Sequence, residues 1–408
     1  MLGVTSQQGH KSKRGRFVKI AVFVHYLPPH IGGIEVIAES QIKALLAAGQ
    51  DVMAISSSCS SEPGVSKING YEARRIQAWN YFEEKMGAAF PIYSPSLVWH
   101  GYKAVRNADI VHAHDAFYLT SLTAAIWARI LRKPLILTQH VGMVPHPNML
   151  VNLVQQLVYA TTGRFILRSS GAVLVLNSRV RKFVLSSGVE ESRIMFLPNG
   201  VDTGTFAPPA HEEKRLLRGK YNLPEDKLLA LFVGRFVAKK GYAKLLELKP
   251  INDLEVVFVG GDAPAGHMRD DHHFLGPIGR EHLPEIFRMC DIFVLPSQGE
   301  GFPVTVQEAM ASGLPVITTA DPAYSPYNFD ESLVQLVEPT TTRFSAALQM
   351  TVNDPELRRE MGRYSRAYAV ANFAWRAHIT QLLSIYDSNL KMSDRRRGAR
   401  SRRLSGKI

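Results

Sequence analysis

The chain has 408 residues, a length that accommodates two domains with a full core each. Lys and Arg number 48 against 36 Asp and Glu, a net charge of +12, yet residues 1–16 hold +4 of it and residues 391–408 hold +7, which leaves +1 for the body between them. A near-neutral body speaks against a nucleic-acid-binding core, and two cysteines, Cys59 and Cys290, exclude a disulfide framework or a cysteine-rich zinc fold.

Lys11 to Arg16 followed by the apolar run from Phe17 to Val24 has the outline of a signal sequence. Lys19 and His25 interrupt the run, no small-residue cleavage pattern follows, and it is too short to span a bilayer, so it reads as the first strand of a buried sheet. From there short apolar runs alternate with helix-period segments, the pattern of parallel sheets covered by helices. Strands are expected over 18–24, 51–56, 109–113, 134–138 and 172–176, and helices over 33–48, 119–131, 151–169 and 179–186. Residues 197–209 are dense in turn formers and read as a linker. A second series follows, with strands near 228–233, 255–259, 292–295 and 315–318 and helices at 281–289, 303–312 and 341–352. Two more helices are expected over 355–371 and 374–390, the latter with the apolar stripe Trp375, Ile379, Leu382, Leu383, Ile385 and Tyr386 that suits a return onto the first domain.

Four motifs carry chemistry. The turn Pro28-Pro29-His30-Ile31-Gly32-Gly33 lies between the first strand and the first helix, where paired glycines admit a ligand to the backbone and the helix N-terminus favours an anion. His114 ends a strand and is the cleft candidate there, whereas His112 alternates inward as a structural residue. Gly234-Arg235-Phe236-Val237-Ala238-Lys239-Lys240-Gly241 follows the first strand of the second series, and Arg235 and Lys240 suit a diphosphate clamp. In the segment Gly299 to Gly313, Glu300 precedes a helix that Pro303 starts, and Glu308 lies inside it, so that both carboxylates border one crevice at the carboxyl ends of a parallel sheet. No metal site is expected: the cluster His267, Asp270, Asp271, His272 and His273 has no common ligand spacing, and neither an Asp-x-Asp pair nor a Walker loop occurs.

With the Pro198-Asn199-Gly200-Val201-Asp202 linker, these motifs stand in the order seen in the family-4 glycosyltransferases of the GT-B fold, which the chain resembles from about residue 18 to about residue 388. The resemblance implies an α/β protein with two Rossmann-like domains facing a central cleft. Residues 17–200, completed by the helix 374–390, would form the acceptor-side domain and residues 201–373 the nucleotide-sugar-binding domain, with basic tails at 1–16 and 391–408. It implies a retaining, metal-independent transfer of a sugar from a nucleotide-sugar donor to an acceptor hydroxyl, without a further cofactor. Arg235 and Lys240 would bind the donor diphosphate, Glu308 the ribose hydroxyls, and Glu300 with the Gly301-Phe302-Pro303 backbone the donor sugar. Ile278 would meet the base through its main chain, Gly32 and Gly33 would lie against the phosphates from the opposite domain, and His114 would touch the donor sugar at the reaction centre.

Two departures from the family pattern bear on donor choice. Only residues 261–273 separate two strands where relatives insert a helix, and Ala320-Asp321-Pro322-Ala323-Tyr324 replaces a Gly-Gly-x-Pro-Glu turn. The aromatic stretch 79–102, with Trp79, Tyr81, Phe82, Phe90, Tyr93, Trp99 and Tyr102, reads mostly as a satellite core on the acceptor side. Together with the basic tails it suits an acceptor sugar or a lipid-linked acceptor at an anionic membrane surface, and a cytoplasmic protein peripheral to the inner membrane face. A sugar phosphorylase, a nucleotide-sugar epimerase and a non-catalytic nucleotide-sugar binder are the alternatives the same cleft would serve.

Overall fold

The computed structural model describes residues 17–405 except 31, 59–61, 69, 88, 145 and 147, and describes no side chains for Met86 and 396–405. The N-terminal tail 1–16 and Cys59 therefore lie outside the described residues, while Cys290 is a buried free thiol. Two sheets form the frame. The first has eight strands in the order Ile194–Phe196, Ala172–Val175, Leu135–Gln139, Ile110–His114, Lys19–Phe23, Asp51–Ser57, Tyr71–Ile76 and Gly64–Ile68, all parallel except the last. The second has six parallel strands in the order His272–Phe274, Leu254–Val259, Leu228–Val233, Ile292–Leu295, Val316–Thr319 and Gln335–Val337. Central strands such as Ile110–His114 and Leu135–Gln139 are buried at every residue, as a sheet covered on both faces requires.

In the first domain, the helices Ser96–Asn107, Leu119–Leu131, Arg164–Ser169 and Ser178–Ser186 cover one sheet face. The helix Gly33–Ala47 covers the other face together with the last helix. That last helix lays Ile379, Leu382, Ile385, Tyr386 and Leu390 into the core of the first domain, as its stripe predicts. It does not stop at 390: the helix runs from Trp375 to Ser405 without a break, so the basic C-terminal segment extends from it as helix. Gly200 allows the crossing, since a Cβ there would sit 2.4 Å from the Trp375 ring. The predicted long loop at 79–102 contains the helix Tyr81–Met86 and leads into Ser96–Asn107. Its rings divide: Tyr93 is buried, whereas Trp79, Tyr81 and Trp99 are exposed.

The return of the last helix is fastened by histidines that hold no charge. His378 Nδ1 meets the Pro198 carbonyl at 2.8 Å and its Nε2 meets Gln41 Nε2 at 2.9 Å, an arrangement that the Nδ1–H tautomer satisfies. His112 bridges Tyr386 at 2.6 Å and Thr138 at 2.7 Å, which confirms it as structural. Burial pushes His112 down to about 3 and His140 and His378 to about 4. These groups are neutral when folded and bind protons below 6.5 when unfolded, so their contribution is complete above 6.5 and is lost as the pH falls toward 4. Thermal melts across this window are expected to show a steady fall in Tm, each histidine adding up to about 1.4 kcal/mol per pH unit. A flat profile down to about pH 4 would refute the buried neutral network.

Candidate active site

The carboxyl ends of both sheets meet at one gap. On the second-domain side, the strand Leu228–Val233 runs into Gly234, and the strand Ile292–Leu295 runs into the loop that carries Glu300. Lys240, at the end of a short 3₁₀ turn, lays its stem over Gly234 and pairs with Glu300, Nζ to Oε1 at 2.8 Å and to Oε2 at 2.9 Å. Gly241 makes that placement possible: its φ is +73°, and a Cβ there would lie 2.2 Å from the Pro296 carbonyl oxygen. Arg235, which follows Gly234 in the chain, is exposed and forms no ion pair with the described residues.

Glu308 lies inside the helix Val304–Ala311, buried to 1 % exposure, and Arg280 donates to its Oε1 at 3.0 Å. Burial pushes its carboxyl up to about 7, against the pull of Arg280. Pro303 stands one position earlier than predicted, at the N-cap with extended backbone rather than in the first turn. The Phe302 ring is buried among Tyr324, Tyr327 and Phe373, so only its backbone is available to a ligand. Ile278 packs on the second core beside Arg280. A cavity of about 800 Å³ opens at Arg280 between the domains, lined by Ile37 and Lys43 from the first helix and by Asp202, Glu281 and Trp375.

On the first-domain side, Gly32 caps the helix Gly33–Ala47. The Glu35 carboxylate folds back against it, 2.3 Å from where a Gly32 Cβ would be, while Gly33 faces open space. Glu35 is 3.1 Å from His30 Nδ1 and 3.6 Å from His25 Nε2. His114 is fully buried; its Nδ1 contacts His140 Nε2 at 3.0 Å and its Nε2 has no hydrogen-bond partner. Burial and the neighbouring His112, His140 and His25 hold it well below the ordinary histidine range. Asp115 follows in left-handed backbone at φ 63°, a conformation a non-glycine residue keeps only where its surroundings impose it, and burial raises its carboxyl. Across the gap, Ser297 Oγ, Thr305 Oγ1 and Thr319 Oγ1 are also buried without partners.

Contacts across the gap join the two sides. Gly301 lies against Asn177 and the His140 carbonyl, a Cβ there falling 3.4 and 3.7 Å from them. Arg179, from the helix Ser178–Ser186, grips Asp321 at 2.9 and 2.8 Å and donates to the Glu300 carbonyl at 3.1 Å. Tyr327 donates to the Leu176 carbonyl at 2.9 Å. The structure thus brings Gly301, which follows the Glu300 that pairs with Lys240, against the His140 carbonyl, and the His140 ring in turn contacts His114. Arg280 and Arg179 were missed in the sequence because each gains its meaning from a partner far along the chain, Glu308 and Asp321. In the cluster of His267, Asp270, Asp271, His272 and His273, His267 bonds His272 at 2.9 Å and His273 turns to Glu255 at 2.5 Å. Among the described residues no group of three His, Cys, Asp or Glu side chains is placed to hold a metal ion.

Known proteins share this frame. The family described as Glycosyltransferase Family 4 matches residues 31–205 and the family described as Glycosyl transferases group 1 matches residues 213–368. The chain is 25 % identical over 417 residues to the D-inositol 3-phosphate glycosyltransferase of Kineococcus radiotolerans, covering 90 % of this chain and 93 % of that protein. Among solved structures, sucrose-phosphate synthase from Thermosynechococcus elongatus aligns with a TM-score of 0.66 at 21 % identity, covering 91 % of this chain and 98 % of that one. Anabaena HepE in complex with UDP aligns at 0.70 and 16 % identity, covering 91 % of this chain and all of that one, 100 %.

Arg179→Ala removes three hydrogen bonds across the gap, so amide exchange in the Gln298–Phe302 loop is expected to quicken by about tenfold, with Arg179→Lys intermediate. Exchange at the wild-type rate in Arg179→Ala would show that the contact holds nothing in place.

Proposed function

We propose that this chain, a family-4 glycosyltransferase of the GT-B fold, moves a sugar from a nucleotide-sugar donor to an acceptor hydroxyl with retention of configuration and without a divalent metal or any further cofactor. The acceptor-side domain is 17–200 with the last helix, and the nucleotide-sugar domain is 201–373. The observation that carries the reading is the Lys240–Glu300 pair at the carboxyl edge of the second sheet, in the loop whose Gly301 lies against the His140 carbonyl of the first domain.

In this reading Arg235 and Lys240 hold the diphosphate. As the bond between the anomeric carbon and the phosphate oxygen breaks, its electron pair stays on that oxygen, and two fixed cations stabilise the charge that develops. Glu308 accepts from the ribose hydroxyls, its carboxyl already positioned by Arg280, and the Ile278 main chain meets the base. Glu300 and the Gly301-Phe302-Pro303 backbone face the donor sugar. Gly32 and Gly33 approach the phosphates from the first helix, and His114, with its free Nε2, touches the sugar at the reaction centre. The UDP bound by HepE supports a uridine nucleotide as the first donor to test.

The acceptor is an acceptor sugar carried by a lipid, with the chain peripheral at an anionic membrane surface on the cytoplasmic side and its two basic tails contributing to that contact. Nucleic acid is not a partner in this reading.

Lys240→Ala and Arg235→Ala are each expected to lower turnover by about 100-fold, the loss typical of one such donor. Thermal-shift screening of the wild type with UDP-, GDP- and ADP-sugars identifies the donor to use, because a ligand that binds the native state raises its melting temperature with affinity. Near-normal turnover in both variants would overturn the assignment of the diphosphate site.

A further inference from the structure

We propose that one helical layer of the first domain, formed by Leu119–Leu131 and the bent helix 149–169, is a docking surface for an anionic phospholipid bilayer. The inference rests on the lipid-linked acceptor reading and assigns the main contact to the folded domain, with the tails as a secondary contribution.

The first observation is electrostatic. Residues 116–189 contain eight Lys and Arg and no Asp or Glu. The near-neutral body conceals a division: residues 17–200 carry +6 and residues 201–390 carry −5. At the end of the layer, Arg129, Arg132, Lys133 and Arg168, joined by Arg193, line one cavity of about 1050 Å³ in which Glu190 is the single acid. A smaller one of about 300 Å³ beside it is lined by Arg129, Arg164 and Arg168.

The second observation is apolar. Met149, Leu150, Leu153 and Leu157 are 85, 60, 60 and 63 % exposed, in a stripe at helical spacing. Val154 on the same helix and Ile126 and Ile130 on its neighbour are exposed as well. The stripe then changes character along one continuous path of helix, since Thr161, Arg164 and Arg168 follow at steps of three and four and are exposed. An exposed apolar stripe of this size marks a contact surface.

A helix that is apolar in its first half and cationic in its second fits a bilayer interface, with leucines among the acyl chains and guanidinium groups at the lipid phosphates. No described helix is long and apolar enough to cross a membrane, so the layer would lie on the surface. A polyanion such as RNA would leave the leucines without a partner, and a second copy would set two acid-free cationic faces against each other. The bent helix starts shortly after His140, whose carbonyl lies against Gly301 at the gap between the domains. The apolar half of the layer therefore begins on the gap side of the first sheet, while the cationic half runs toward the amino ends of its strands, so docking along its length sets the gap beside the bilayer, where a lipid-anchored hydroxyl is found.

The test is co-sedimentation of the full chain with vesicles of phosphatidylcholine alone and of phosphatidylcholine mixed with phosphatidylglycerol. Four proteins are compared: wild type, Leu153→Ser/Leu157→Ser, Arg164→Gln/Arg168→Gln, and a chain lacking residues 391–408. The wild type is expected to bind the mixed vesicles only, and each double variant to bind them about tenfold or more weakly while melting at the wild-type temperature. Amide exchange of the unmodified protein is expected to slow over 149–168 when mixed vesicles are added, a readout that needs no variant to fold. If the double variants bind as the wild type does and only the truncated chain loses binding, the layer is overturned while the membrane reading stands. If the wild type binds neither vesicle, both fall. Equal binding to both vesicles, or protection of 149–168 by self-association or by RNA instead of lipid, overturns the proposal.

Discussion

The ion pair between Lys240 and Glu300 is the constraint on which the geometry of the gap depends. Two loops that leave different strands of the second sheet would each carry a charge of uncertain position; pairing at 2.8 Å fixes both, in surroundings where the side chains are only 19 and 12 % exposed. A pair of this kind loses most of its Coulomb gain to desolvation, so its value lies in position more than in stability. The backbone agrees with it, because Gly241 admits the Pro296 carbonyl and Gln298 N–H donates to the Lys239 carbonyl at 2.9 Å. Arg179 then takes hold of the same Glu300 from the other domain. One electrostatic contact thereby sets both the shape of the second-domain edge and the distance to the first.

How far the sequence could be read followed from how local the cause of each feature was. The helix Leu119–Leu131 and the strands Leu228–Val233 and Ile292–Leu295 have the predicted bounds, because their apolar pattern and turn residues lie within the segment itself. The edge strand Gly64–Ile68 and its inner neighbour Tyr71–Ile76 were not predicted. Gly64–Ile68 alternates between half-buried and exposed and has no apolar face to show. Tyr71–Ile76 carries two arginines, of which Arg75 is buried against the Ser57 carbonyl and Ser66. In the gap, Lys240 and Glu300 could be read because glycines and a proline mark their loops. That they pair with each other, and that Arg280 covers Glu308, could not, since partners 60 and 28 residues apart leave no periodic trace.

Charge shows the same limit in another form. Summed over the body, the sequence is nearly neutral at +1, and the tails at +4 and +7 dominate the total. Division at the linker reveals +6 and −5, and the structure shows why the distinction matters: at the end of one helical layer of the positive domain, five cations line a cavity that holds one acid, Glu190. A field of this kind is set by where charges face, so composition alone cannot report it.

The two sides of the gap also differ in the charge they hold, and the difference suits glycosyl transfer. On the second-domain side, Arg235 stands exposed and Lys240 pairs with Glu300, the setting proposed for a leaving diphosphate. On the first-domain side, His25, His112, His114 and His140 stand close together, and burial keeps every one of them from taking a proton. A sugar that loses its phosphate gains positive character at the anomeric carbon, and an imidazolium beside it would oppose that change by Coulomb repulsion in a medium of low dielectric. Neutral imidazole rings do not, and they retain lone pairs that can accept from sugar hydroxyls. In the proposed site, the dense packing around His114 thus keeps uncharged rings on the first-domain side of the gap, while the basic side chains Arg235 and Lys240 stand on the second.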